Sequence, residues 1–368
     1  MDFDLTEEQQ LLRDVTRDVL SRNYDITRYN EITSGELGWS REVWKQFAEV
    51  GLLGLGFDPD EAGQIEVMVV MTEIGRRLAP EPLAHAALIP GGLIAELGSD
   101  EQKKVLDDVT AGEVLLAFAH DEPGARTGPA ELNTRAEKSA DSWTVSGRKN
   151  PVLAGDSADS VIVTAALPDG GSGLFLVDAA ATTRRAYRTF DGRRGAQLDF
   201  DAVSAEPLGA GGDAAEHIAR TVIRFQSALC AEAVGAMEEA LRLTTGYLGE
   251  RKQFGVPLSN FQTLTQRAAD MYVSQELARS MNFYAAMSIA DGRFDPVVAA
   301  RTKLQIGRSG RHIAQEAIQL HGGIGMTAEY PVGHYASRLT AIDNTFGTAD
   351  DQLRALIGHI GDYGTVSL

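Results

Sequence analysis

Positive charge is in short supply in this sequence. Its 34 Lys and Arg face 52 Asp and Glu, leaving a net charge of −18. No long Lys/Arg run breaks that balance. This excludes the basic face a nucleic-acid binder needs and disfavours anionic membranes. Cysteine is nearly absent. Cys230 stands alone, which excludes an internal disulfide and fits a reducing compartment. Within QSALCAEAVGAM it reads as a small buried hydrophobe. No apolar run reaches the roughly 18 residues that span a bilayer, and the acidic, polar MDFDLTEEQQ is not a signal peptide. A soluble, cytoplasmic protein is the expectation. HExxH, CxxC, GxSxG and Walker motifs are missing. The 7 His are scattered without metal spacing, so no metal site is expected.

What is present is core-building material: 368 residues, 43% hydrophobic, enough for two or three domains. Leu5, Leu11, Leu12, Val15, Val19 and Leu20 recur at helical spacing. TEEQ at Thr6–Gln9 has the form of a capping box, so a first helix begins near Thr6. SREVWKQFAEVGLLGLGF predicts another from Ser40, closed at Gly51. QIEVMVVMTEIGRRLAP and PGGLIAELG add more, and Ser99 caps SDEQKKVLDDVTAG. From Val114 to Leu208 the pattern changes. EVLLAFAH, SWTVSGRK, SVIVTAAL, GLFLVDA and AQLDFDAV are short β-rich runs between turns, spaced as in a small barrel or sandwich. LGAGGD, which follows, lacks the lysine of a phosphate loop and reads as a surface hinge. Long helices return over 214–250 and 262–291. A third opens with Asp295 as N-cap and Pro296 at its first position, and ends at Gly322 and Gly323. A last helix covers roughly 349–360.

One cationic spot interrupts the acidity: Arg251 and Lys252, in LGERKQFGVPLSNFQ. Taken alone it is a helix-end cluster satisfying carbonyls. His120, Asp121 and Glu122 suggest an acid–base group, yet neighbours at a strand end point different ways.

RKQFGVPLSNFQ at 251–262, QLHGGIGMTAEYPVGHY at 319–335, FAHDEPGA at 118–125 with GRK at 147–149, and the helix–β–helix layout together resemble the acyl-CoA dehydrogenase family over essentially the whole chain. The nearest pattern is that of the small subunits of heteromeric bacterial enzymes, of the pimeloyl-CoA and actinobacterial steroid-catabolic kinds. The resemblance implies an α+β fold: an N-terminal α-helical domain at 1–115, a middle β-barrel or sandwich domain at 116–210 and a C-terminal four-helix bundle at 211–368. It implies FAD at a subunit interface, an acyl-CoA thioester desaturated between its α and β carbons, and an electron-transfer flavoprotein as acceptor. Arg251 would pair with the FAD pyrophosphate, since an arginine fork suits phosphate oxygens. Gln253 and Phe254 would line the same stretch of cofactor, and Gln262 would hydrogen-bond it. Gln319, Gly322 and Gly323 would receive its adenosine half, the glycines letting backbone approach closely.

The same comparison exposes departures. Desaturation needs a carboxylate base held against the α-carbon. Most of the family places it before the Gly-Thr of the C-terminal turn, where this chain has Phe346. Others place it on the helix after the β-domain, before an arginine, where this chain has Phe225 and Gln226. No catalytic residue is therefore assigned. Displaced carboxylates at Asp343, Asp121 or Glu122 stay open, as does a flavin-free scaffold. In the loop that meets the flavin ring, Asp121 replaces a threonine and Arg126 a glycine, while Thr127 keeps a hydroxyl. Pro151, Val152 and Leu153 replace Trp-Ile-Thr. The expectation is one subunit of an α2β2 enzyme whose homologous partner supplies the base and the flavin-ring site.

Overall fold

Thr6 starts the first helix by donating and accepting at once. Its hydroxyl accepts from the Gln9 amide at 3.2 Å, and Gln9 Oε1 accepts from the Thr6 amide at 3.0 Å. Such a box satisfies two of the orphan groups at a helix start. The computed structural model describes residues 4–125, 132–139, 142–359 and 361. Its N-terminal helices are α1 (Glu7–Asn23), α2 (Ile26–Ser34), α3 (Arg41–Glu49), α4 (Gln64–Arg77), α5 (Ile89–Leu97), α6 (Asp100–Lys103) and α7 (Val105–Thr110). α3 begins after Ser40, which caps it, and Ser99 caps α6 as its sequence predicts. α2 escapes the apolar-spacing argument, because its nine residues bury only Tyr29 and Thr33.

Seven strands follow: β1 (Leu116–Ala119), β2 (Arg135–Ser139), β3 (Ser142–Leu153), β4 (Ser160–Ala166), β5 (Ser172–Asp178), β6 (Thr183–Arg188) and β7 (Arg194–Pro207). β4 pairs with β2 and β5, β5 reaches β7, and β7 runs beside β3, which pairs with β2. The sheet thus closes on itself as a barrel. Val145, Val161, Val163, Ala165 and Leu198 fill it with no exposed surface. β2 and β6 are the two strands the apolar pattern misses. RAEKS and TRRAYR keep one or no residue fully buried, so they carry no period-two apolar signal.

The C-terminal helices are α8 (Ala215–Glu250), α9 (Gln262–Ala290), α10 (Pro296–His321), α11 (Val332–Asn344) and α12 (Ala349–Gly358). Asp295 and Pro296 start α10, and Gly322 ends it, as the sequence predicts. Between α8 and α9 lies a small hairpin of β8 (Lys252–Gln253) and β9 (Val256–Pro257). No helix among the described residues is long and apolar enough to cross a membrane.

The chain divides into two compact units. One holds Leu5–Val70 with Ala79–Phe225; the other holds Asp4, Met71–Leu78 and the described residues from Gln226 onward. In the second unit, Glu232 of α8 and Arg338 of α11 form a buried two-pronged ion pair, with both contacts at 2.7 Å. Removing one partner of such a pair costs about 3–5 kcal/mol, because the other charge is left stranded. α4 and α8 cross where Gly75 and Gly235 leave room for backbone. A Cβ on Gly75 would overlap Glu232 O, and one on Gly235 would overlap Thr72 O. Alanine ordinarily outdoes glycine in a helix by about 1 kcal/mol. Gly246→Ala, in open space on the same helix, should therefore raise the urea midpoint of the isolated chain. Gly235→Ala should lower it, reversing the sign.

Candidate active site

The hairpin that carries Arg251 is built from backbone. The Arg251 N–H donates to Tyr247 O in the last turn of α8, and Arg251 O accepts from the Leu258 N–H, each at 2.8 Å. Gln253 faces Val256 across a two-residue turn in which Phe254 has φ 53° and Gly255 φ 84°. Two positive angles make a turn whose twist suits a hairpin. For phenylalanine the left-handed conformation costs about 1–2 kcal/mol. Phe254 is also 92% exposed, with its ring edge on Phe261 at 6.1 Å. Backbone strain and an exposed aromatic at one tip favour a binding role over a packing one.

Arg251, Gln253, Gln262, Gln319, Gly322 and Gly323 are exposed as well. None of the four polar side chains makes a hydrogen bond or ion pair with another described residue. Gly322 takes φ 65°, and a Cβ on it or on Gly323 would meet nothing within 4 Å. The rings of Tyr247 and His321 stack at 4.6 Å, bringing together the ends of α8 and α10 that lead into these two motifs.

The positions where the resemblance expects a base are occupied differently. Phe225 is 1% exposed and belongs to a column of rings. It stacks on His85 at 5.2 Å and on Phe118 at 5.7 Å, and Phe118 stacks in turn on His120. Phe346 has φ 54°, and its carbonyl accepts from Gln226 Nε2 at 3.0 Å and Gln352 Nε2 at 3.2 Å. Asp343 is committed nearby. Its Oδ1 accepts from the Ala349 N–H at 3.0 Å and its Oδ2 faces Arg311 at 3.4 Å. Lys303, fully buried, donates to the carbonyls of Ile342 and Asp343 and closes the end of α11.

In the β-domain, Glu122 and Lys149 form a buried ion pair at 2.9 Å. Glu122 also accepts from the amides of Asn133 and Thr134. Burial alone would raise its pKa; the Lys149 hydrogen bond and those amides overcome this and hold it at about 2. Burial pushes Lys149 down to about 8, against the pull of Glu122. Lys149 donates to Thr164 Oγ1 at 3.0 Å. The Thr164 hydroxyl also lies within hydrogen-bond distance of His120 Nδ1, at 3.2 Å. Burial followed by the Lys149 charge takes the His120 pKa down to about 4, so its ring is neutral at pH 7. Asp121 differs from both neighbours. Its Oδ1 is buried without a partner among the described residues, and burial lifts its pKa to about 6. Arg126 and Thr127 lie outside the described residues. Neither the ring column nor the Lys149 relay was legible in the sequence, because residues 85, 118 and 225 carry no shared local signal.

Two family models match the chain: the acyl-CoA dehydrogenase N-terminal domain over residues 6–113 and the C-terminal domain over 221–360. Acyl-CoA dehydrogenase FadE28 of Mycobacterium tuberculosis is 30% identical, covering 97% of this chain and 98% of its own. The chain belongs to the acyl-CoA dehydrogenase family. The solved Tcur3481-Tcur3483 steroid ACAD is 31% identical, with TM-score 0.89 over 97% of this chain and 98% of that one. The ChsE4-ChsE5 complex of Mycobacterium tuberculosis shares the fold, with TM-score 0.91 at 23% identity over 99% of this chain and all of that one.

Members of this family bind FAD, and two sets of described residues differ in how well their chemistry would fit it. The unpaired Arg251 guanidinium, the free amides and the uncovered Gly322–Gly323 backbone suit a diphosphate and a nucleoside. The β-domain positions do not suit a flavin ring. Asp121 offers an unpaired buried carboxyl oxygen where flavin oxygens would need donors, Pro151 has no N–H, and Leu153 has no hydroxyl.

His120 gives a test of this electrostatic picture. Its folded pKa lies near 4, below the unfolded value of about 6.5. Between those values the unfolded chain binds a proton that the native chain refuses, so stability rises with pH there and is lost as pH falls. The stability of wild type relative to His120→Asn, measured by urea unfolding, should climb from about pH 4 to about 6.5 and level off above.

Proposed function

We propose that this chain is one subunit of a heteromeric FAD-dependent acyl-CoA dehydrogenase, completing the cofactor site of a homologous partner that carries the base. The observation that carries this reading is the contrast between its two halves of a site. Both usual base positions are phenyl rings, Phe225 sealed within a ring column and Phe346 held by its carbonyl, while Arg251 stands exposed and unpaired. When bound, FAD supplies the two-electron acceptor of the 2,3-desaturation, and an electron-transfer flavoprotein takes those electrons on. Arg251 neutralises the pyrophosphate, Gln253, Phe254 and Gln262 line it, and Gln319 with Gly322 and Gly323 holds the adenosine half. No residue here takes the α-proton, so that role falls to the partner.

Further support comes from α9. Tyr272 and Val273 are each 57% exposed and Leu277 53%, on a helix whose other face is already buried. A helix apolar on two faces suits an assembly better than a free surface. Two related structures, Tcur3481-Tcur3483 and ChsE4-ChsE5, are named for paired gene products, and the first as a steroid ACAD. These favour an α2β2 arrangement and a bulky, ring-bearing acyl group.

Asp121 favours a second reading, a self-sufficient enzyme with a displaced base, because a buried carboxyl with pKa about 6 is the kind tuned for proton transfer. Purified with its partner, the complex should hold one FAD per heterodimer by released-flavin absorbance. Arg251→Ala should weaken FAD retention by about 1.5–3 kcal/mol, the scale of a hydrogen bond to a charged group. Asp121→Asn should leave kcat within a few-fold. A loss of about 10²–10⁴-fold, the size expected for a general base, would move the chemistry into this chain.

A further inference from the structure

The geometry points to Tyr247, His321 and Tyr330 as a ring clamp that sets the Arg251 hairpin against the Gly322–Gly323 turn, so that the two ends of one dinucleotide are met at a fixed separation. This rests on the reading of Arg251 and Gln319 as cofactor contacts. The two motifs are separated in sequence by the whole of α9 and α10, and each sits at a helix end, where chains fray. Something must hold them in register if they are to meet one rigid ligand.

The clamp does so with three rings in mutual contact. His321 stacks on Tyr247 at 4.6 Å and 29°, and meets Tyr330 at 4.9 Å. Tyr247 and Tyr330 touch edge to face at 6.4 Å. Hydrogen bonds fix the central ring. His321 Nδ1 donates to Ala317 O at 2.7 Å, which leaves Nε2 to accept from the Tyr330 hydroxyl at 3.2 Å. His321 is 4% exposed, and burial lowers its pKa, in keeping with the neutral ring this pattern needs. Each ring then passes its position to the site through backbone. Tyr247 O holds the Arg251 N–H at 2.8 Å. His321 is the residue before Gly322, whose left-handed φ opens the turn. Gly325 packs back on His321, with a built Cβ only 3.1 Å from His321 Cβ. Tyr330 ties in the chain beyond that turn. The three are positioning residues: none is exposed as Arg251 is, yet both cofactor motifs hang from them. Preorganisation of this kind improves affinity by reducing the ordering cost of binding.

The test uses the complex with its partner and mutates this chain only. Three measurements are made: FAD affinity by titration of the apo-complex, amide exchange of residues 251–258 in this chain, and its thermal midpoint. His321→Ala should weaken FAD by about tenfold, the scale of one to two aromatic contacts, and speed exchange in the hairpin. His321→Phe keeps the stack and should recover most of both effects, while Tyr330→Phe, which removes only the hydroxyl, should give a smaller loss. Should His321→Ala fail to fold, Tyr247→Leu and Tyr330→Phe carry the same comparison. Unchanged hairpin exchange in the folded variants overturns the clamp. So does unchanged FAD affinity where Arg251→Ala weakens it, since that would leave the rings a merely structural role. If Arg251→Ala itself leaves FAD affinity unchanged, the cofactor reading fails, and the clamp falls with it as a device for cofactor binding.

Discussion

The ion pair between Glu232 and Arg338 is the constraint on which the helical unit depends. Two charges out of water are stable only when their geometry is fixed on both sides. That requirement locks α8 to α11, and the glycine crossing of α4 and α8 allows it, since Gly75 admits the backbone of Glu232 itself. The segment after α11 inherits its position from this lock. Lys303 closes the helix end, Asp343 receives the start of α12, and Gln226 and Gln352 hold Phe346 by its carbonyl. The C-terminal turn is thus built to a tight specification although it presents a phenyl ring rather than an acid.

A similar logic runs through the β-domain. Lys149 and Glu122 satisfy each other in a buried pair, and Thr164 links Lys149 to His120. Its ring then extends the stack of Phe118, Phe225 and His85. Desolvation makes each member dependent on the next, because a buried polar group without a partner costs free energy. Asp121 Oδ1 is among the buried polar atoms without a hydrogen-bond partner among the described residues, and burial raises its pKa.

The features turned outward follow another rule. Arg251, Gln253, Phe254, Gln262, Gln319 and the two glycines contribute nothing to the core, and Phe254 is held in a conformation that phenylalanine does not choose freely. Their common trait is exposure, and Phe225 and Phe346 contrast with them by being held from inside the fold.

Much of this was determined by sequence alone. Local rules sufficed for the capping box at Thr6, the helix start at Ser40, the cap at Ser99, the Asp295–Pro296 helix start and the Gly322 stop, because each is settled within one turn of chain. Five of the seven barrel strands announced themselves by apolar content. β2 and β6 did not, since their partners rather than their own residues hold them in the sheet. The Arg251 and Gln319 motifs were legible as motifs. That Arg251 lies on a strained hairpin, that Asp343 is bound into the turn at Ala349, and that Tyr247, His321 and Tyr330 meet were decided only by tertiary structure. Each depends on residues far apart in the chain, and no local preference records which distant ring or carbonyl a side chain will find.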